Sequence, residues 1–223
     1  MTATLEEQVQ EAEARWLQHW KDGPRRVRWA TLPPQVGDPA PRFDLPDQRG
    51  HTTPLSDCWR ERPALILFWR HYGCGCGLDR ARRLKEEYDE YIRRGAGVVL
   101  VGQGSPDRAA AYAARYELPD VPILCDEGGR AYEAYGLLEG LPAQLLFDAP
   151  EPWLDHDLET GVNFARDRRT QGRPPVDNPW LLPGEFVIDT AGRIVLAYRY
   201  NYCEDFPDAR VLFAAIRQAT RGG

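Results

Sequence analysis

Two short, unbroken apolar runs constrain this chain more than any other feature: residues 64–69, Ala-Leu-Ile-Leu-Phe-Trp, and residues 97–102, Gly-Val-Val-Leu-Val-Gly. Each has the length of a strand buried on both faces rather than of a core helix. Between them, Ala81, Leu84, Tyr88, Tyr91 and Ile92 mark the inward face of a helix that ends near Gly95. Ser105-Pro-Asp107 opens another helix, with Ser as N-cap and Pro in the first turn, running to about Glu117. A short strand at 121–124 and a short helix at 130–135 follow. Residues 185–189 and 193–200 form a hairpin around Thr190-Ala-Gly192. A last helix, from Asp208 to about Ala219, turns Val211, Leu212, Ala215 and Ile216 inward. Strands alternating with helices, closed by a hairpin and a helix, predict an α/β fold with both sheet faces covered.

Outside this frame, Leu5, Val9, Ala12, Trp16 and Trp20 recur at helical spacing, and Gly23-Pro24 stops their helix. The two tryptophans dock either on the main body or on a second subunit, which leaves a homodimer open. Residues 31–50 are rich in Pro, Gly and Asp and are extended with turns. After Gly136, Pro142, Pro150, Pro152, Pro174, Pro175, Pro179 and Pro183 rule out a long regular element. A loop as long as 139–182 usually serves as a lid or binding loop. Its Arg166, Arg168, Arg169 and Arg173 are either a solvated charge run or part of a flap over the site, with Trp153, Phe164 and Trp180 anchoring it. The expected division is a helical extension and linker over 1–35, then one domain over 36–223 with an insertion at 139–182.

At 43% hydrophobic residues the chain can bury a core, yet no apolar run approaches the roughly 20 residues that span a bilayer. Its first fifteen residues carry Glu6, Glu7, Glu11 and Glu13 and no apolar segment, unlike a signal peptide. A net charge of -6 argues against a nucleic-acid partner. Five cysteines are an odd and unevenly spaced set, which fits a reducing compartment better than a disulfide framework. The expectation is a cytoplasmic protein that binds neither nucleic acid nor membrane.

Chemistry concentrates in Arg70-His-Tyr-Gly-Cys-Gly-Cys76, between the first apolar strand and the following helix. A cysteine there meets the free N–H groups and positive end of the helix dipole, both of which stabilise a thiolate. Arg70 and His71 can add positive charge, and a second thiol nearby can capture an oxidised first one. Residues i and i+2 of a helix point roughly 200° apart, so a Cys74–Cys76 bond requires the helix start to be non-helical or to open. Zinc is disfavoured because a thiolate site needs four ligands and there is no second close pair. Cys58, Cys125 and Cys203 read as packing residues.

Residues 36–50 (Val-Gly-Asp-Pro-Ala-Pro-Arg-Phe onward), 54–57, 64–69, 98–106, 122–126 with 132–136, and 186–194 together resemble the peroxiredoxins, the alkyl hydroperoxide reductase/thiol-specific antioxidant (AhpC/TSA) family. The resemblance implies a thioredoxin-like fold: a central mixed sheet flanked by helices, here with an N-terminal helical extension and a long insertion before the last β-hairpin. It implies a cis proline beside the active cysteine, at Pro183, and substrate contacts from Pro183, Arg70 and His71. It implies no cofactor. It also implies a peroxidatic Cys74, a resolving Cys76, a peroxide substrate and an external thiol reductant such as a thioredoxin or glutathione system. The reverse assignment of the two cysteines stays open.

There are departures. Family members carry Pro, then Thr or Ser, seven and three residues ahead of the peroxidatic cysteine. Ahead of Cys74 stand Leu67 and His71; ahead of Cys76, Trp69 and Gly73. The usual peroxide-binding arginine is replaced by Pro183, and the closer likeness is to a branch with an Arg-x-x-Gly-Cys-x-x-Cys site. Two other readings therefore stand beside a thiol peroxidase: a protein thiol–disulfide oxidoreductase using the same pair on a disulfide substrate, and a non-catalytic binding or scaffold protein on a redox fold.

Overall fold

The computed structural model describes residues 3–145 and 151–222; Pro150 and the rest of 146–150, part of the expected insertion, lie outside the described residues. Helix α1 (Leu5–Asp22) starts with a reciprocal cap. The Glu7 N–H donates to Thr4 Oγ1 at 3.2 Å and the Thr4 N–H donates to Glu7 Oε2 at 2.7 Å. Gly23, at φ +73°, ends it. A small antiparallel hairpin, β1 (Asp44–Pro46) and β2 (Thr52–Pro54), leads through a 3₁₀ turn (Leu55–Trp59) into β3 (Ala64–Phe68). Then come α2 (Gly75–Arg93), β4 (Gly97–Gly102), α3 (Pro106–Arg115), β5 (Ile123–Cys125) and α4 (Arg130–Ala134). Three helices precede the last hairpin: α5 (Pro142–Leu145), α6 (Glu151–Leu154) and α7 (Leu158–Thr170). Strands β6 (Gly184–Ile188) and β7 (Ile194–Arg199) and helix α8 (Ala209–Arg221) complete the chain.

The main sheet has the order β5-β4-β3-β6-β7. Strand β3 is central, parallel to β4 (Phe68 opposite Val101) and antiparallel to β6 (Phe68 opposite Gly184). Every residue of β3 is buried, and alternation divides them between two cores. Leu65 and Leu67 meet Leu84 and Tyr91 of α2 and Leu212 and Ile216 of α8. Ile66 and Phe68 meet Tyr132 and Tyr135 from the α4 region, together with Phe186. This is the mixed, helix-flanked sheet that the resemblance implies.

Three expectations fail for physical reasons. The insertion does contain a long element, the 13-residue α7. Its prolines cluster at the two ends, and residues 153–173 form a proline-free window capped by Asp157, whose side chain accepts the Thr160 N–H. Pro183 is not cis: no peptide bond among the described residues is. The neighbouring backbone is tied in extended form by the Leu182 N–H to the Leu138 carbonyl and by the Tyr200 N–H to the Pro183 carbonyl, and trans is the lower-energy form of an X-Pro bond. Val211 is 42% exposed, because the buried face of α8 runs Leu212, Ala215, Ile216, Ala219.

Candidate active site

The C-terminal end of β3 delivers the cysteines. After Phe68 the Trp69 N–H still donates to the Val101 carbonyl at 2.7 Å, and the chain then turns, closed by the Cys74 N–H on the His71 carbonyl at 3.1 Å. Gly73 is needed in that turn because a Cβ there would overlap the Pro174 carbonyl. Cys74 is the N-cap of α2, with extended backbone (φ -72°, ψ 139°), and Cys76 lies in the first turn. Their Cα atoms are 5.5 Å apart and their sulfurs are in disulfide contact. Cys74 stands outside the helix, so the opposed directions of two helical residues never arise, and the pair closes without unwinding α2.

Arg70 is the cation on this pair. Its buried guanidinium donates from Nη1 to Cys74 Sγ at 2.9 Å, from Nε to the Leu181 carbonyl at 3.3 Å, and from Nη2 to the Pro179 carbonyl. Burial lowers its pKa to about 10, Cys203 raises it and Arg168 lowers it, so it stays charged at neutral pH. With the start of α2 it favours a thiolate on Cys74. Neighbouring His71 behaves differently. Burial, then Arg70, Arg168, Arg108 and Arg173, push its pKa well below the ordinary imidazole range. His71 is therefore neutral and adds none of the positive charge expected of it, and its buried Nδ1 has no hydrogen-bond partner. Pro183 lines a cavity of about 20 Å³ with Cys76, Arg70 and Cys203. In the same place the buried Arg80–Glu185 pair (2.7 Å) is joined by the Tyr200 hydroxyl on Glu185 at 2.6 Å.

The cysteines open onto a cavity of about 220 Å³ whose wall comes from distant parts of the chain. Trp16 and Trp20 of α1 stack on each other at 5.3 Å; Trp16 stacks on Phe164 of α7 at 5.5 Å and Trp20 on Trp180 at 5.4 Å. Both tryptophans thus dock on their own chain. The Trp20 indole donates to the Asp157 carbonyl at 2.9 Å, and that of Trp180 to the His19 carbonyl at 2.6 Å. Gly161 permits the close approach of α7, since a Cβ there would collide with Trp20. Of the four insertion arginines, Arg168 lines the cavity and donates to the Gly73 carbonyl, and the Arg173 guanidinium lies beside Gly75. Arg169 pairs with Glu13 at 3.0 Å and Arg166 is exposed. These contacts match the flap alternative better than a solvated run.

Sequence reasoning missed two contributors: Cys203, and the Trp16–Trp20 pair as part of the wall. Cys203 lines the cavity with Cys74 and Cys76. Cys58 and Cys125 do not, and burial pushes their thiols up to about 11 and about 12. No local pattern marks Cys203. The hint available was the concentration of tryptophan and phenylalanine in the two segments outside the sheet.

Among known proteins, the AhpC/TSA family model matches residues 36–197. The thioredoxin-like protein AAED1, chloroplastic, of Arabidopsis thaliana is 34% identical over 95 residues, 43% of this chain and 38% of that protein. Peroxiredoxin Bcp of Escherichia coli is 30% identical over 105 residues, 47% of this chain and 66% of that protein. The chain thus spans less than two thirds of the length of these relatives. The crystal structure of peroxidoxin BcpB from Mycobacterium tuberculosis superposes with a TM-score of 0.59 at 19% identity, covering 83% of this chain and 97% of that one, and shows the same fold. Among the described residues no helix is long and apolar enough to cross a membrane.

Proposed function

The chain belongs to the AhpC/TSA family, and from that premise we propose that it is a thiol-dependent oxidoreductase that reduces peroxides through Cys74 and Cys76. The observation that carries this reading is the Arg70 Nη1 donor 2.9 Å from Cys74 Sγ at the start of a 19-residue helix. It supplies, from four residues upstream, a guanidinium that the departures from the family pattern had removed. In the proposed cycle the Cys74 thiolate attacks the peroxide O–O bond. An S–O bond forms, the O–O bond breaks, and the leaving oxygen takes a proton as water or alcohol. The Cys76 thiol then condenses with the sulfenic acid, expelling water and leaving the disulfide. An external thiol donor, either one dithiol of thioredoxin type or two molecules of glutathione, returns both sulfurs to thiols and is itself oxidised to a disulfide.

Arg70 orients the peroxide and holds the thiolate. His71, being neutral, contributes no charge, and Pro183 shapes the floor beside Cys76. Both cysteines are 5% exposed, which favours a small peroxide over the disulfide of a folded protein as substrate. A reducing cytoplasm is the compartment proposed, with Cys58, Cys125 and Cys203 as free thiols.

The test compares peroxide consumption, coupled to thioredoxin or glutathione, with insulin disulfide reduction for wild type, Cys74→Ser and Cys76→Ser. Peroxide turnover should vanish in Cys74→Ser and persist for a single turnover in Cys76→Ser. Turnover unaffected by Cys74→Ser removes the mechanism, and insulin reduction without peroxide turnover makes the pair a thiol–disulfide oxidoreductase.

A further inference from the structure

A third thiol stands at the site and the cycle above leaves it unused. Cys203, in the turn after β7, packs in one apolar cluster with Cys74 and Cys76. It lines the larger cavity with both of them and the smaller one with Cys76. Burial raises the pKa of the Cys203 thiol, and Arg70, which is bonded to Cys74 Sγ, offsets part of that rise. One guanidinium therefore serves both sulfurs.

The two ends of this cluster differ in setting. The disulfide at the start of α2 shares its cavity with Trp16, Trp20 and Arg168, and each of its cysteines is 5% exposed. Cys203 is equally buried, but its neighbours Tyr202 and Glu204 are exposed and it sits in a surface turn. The turn is tethered by the Cys203 N–H to the Gln144 carbonyl (3.1 Å) and Gln144 Nε2 to the Asn201 carbonyl (2.6 Å). The Cys203 sulfur makes a 3.6 Å contact with the Leu145 carbonyl, an interaction weak enough to exchange.

We propose that Cys203 is a relay thiol that moves the disulfide from the buried pair to this surface turn, where a protein dithiol reduces it. The Cys203 thiolate, its proton released to solvent, attacks Cys76 Sγ. The Cys203–Cys76 bond forms as the Cys74–Cys76 bond breaks, and the electron pair leaves on Cys74 Sγ as a thiolate held by Arg70. One disulfide replaces another with no net oxidation. The partner dithiol then attacks Cys203 Sγ, displaces Cys76, and closes its own disulfide as Cys203 and Cys76 return to thiols. This inference rests on the Cys74–Cys76 pair cycling as proposed.

The full-length protein is oxidised with one equivalent of hydrogen peroxide, quenched in acid, alkylated and mapped by mass spectrometry. A Cys76–Cys203 linkage is expected beside Cys74–Cys76 in wild type. In Cys203→Ser the first turnover of peroxide should remain while steady turnover with thioredoxin and its reductase falls at least tenfold. A map containing only Cys74–Cys76, or wild-type thioredoxin-coupled turnover in Cys203→Ser, overturns the relay. Diamide treatment of Cys74→Ser decides reach without peroxide chemistry: a Cys76–Cys203 disulfide supports the relay and its absence overturns it. If peroxide fails to oxidise wild-type Cys74, the peroxidase reading falls, and the diamide arm still decides the relay.

Discussion

The core around β3 and the aromatic wall over the cysteines are both built from buried apolar side chains, but they are assembled in different ways. In the core, aliphatic residues of adjacent strands interdigitate with helices near in sequence, as Leu65 and Leu67 do with Leu84. In the wall, Trp16 and Trp20 meet Phe164 and Trp180, more than 140 residues away. Ring stacking, indole donors on carbonyls and arginine contacts join them. The core is a continuous cooperative body, whereas the wall is held on by a few large side chains from α1 and the insertion. Such a region can open locally without unfolding the sheet.

The largest effect should separate the two regions. Phe186→Ala removes a fully buried ring packed on Phe68 and Tyr135, and should cost about 3–5 kcal/mol in urea unfolding. Trp20→Ala removes a comparable stacked ring from the wall. Because the wall detaches first, global stability should fall by about 2 kcal/mol or less. Alkylation of the reduced cysteines should instead accelerate roughly tenfold, since local opening controls access. Equal losses of stability, with unchanged alkylation, would merge core and wall into one cooperative unit.

That contrast also explains what the sequence made legible. Period and turn chemistry locate β3, β4, the β6–β7 hairpin and α2, because each strand's burial is written in its own residues. The same holds for the Cys74/Cys76 position, a product of the β3–α2 junction. Helix α7 was hidden by counting prolines without regard to the gap between them. The trans bond at Pro183 belongs to the folded chain around it, which no short motif encodes. Cys203 reached the site through the path of β7 and its turn, and Arg168 through the docking of α7 on α1. Both are tertiary facts. Arg70 was visible as a charge, but its bond to Cys74 depends on the carbonyls of Pro179 and Leu181 holding its other nitrogens.

A pH series probes the charged side of the wall. In the folded chain His71 is kept neutral by burial and by Arg70, Arg168, Arg108 and Arg173, with its pKa well below 6.5. In the unfolded chain it takes up a proton near the ordinary value. Stability is therefore unaffected by His71 above about pH 6.5 and falls as the pH drops through it, by at most about 1.4 kcal/mol per pH unit. His71→Gln should flatten the decline between pH 7.5 and 5.5. His19, whose pKa burial also lowers, leaves a residual slope. An identical slope in the variant would mean that His71 gains its proton in the folded state as readily as in the unfolded one.

The smallest effect tests whether charge or stacking fastens α7 to α1. Arg169 bonds both oxygens of Glu13, at 3.2 and 3.0 Å, yet its side chain is 65% exposed. Exposed pairs contribute roughly 0.2–1 kcal/mol and are screened by salt, but here the Glu13 side chain is only 10% exposed. Arg169→Ala should therefore lower the unfolding free energy by about 1 kcal/mol, near the top of that range, and by less in 0.5 M salt. It should leave cysteine alkylation unchanged, because Trp16, Trp20, Phe164 and Trp180 remain stacked. If Arg169→Ala speeds alkylation as much as Trp20→Ala does, the ion pair rather than the rings closes the wall, and raising the salt concentration should then open the site in the wild-type protein as well.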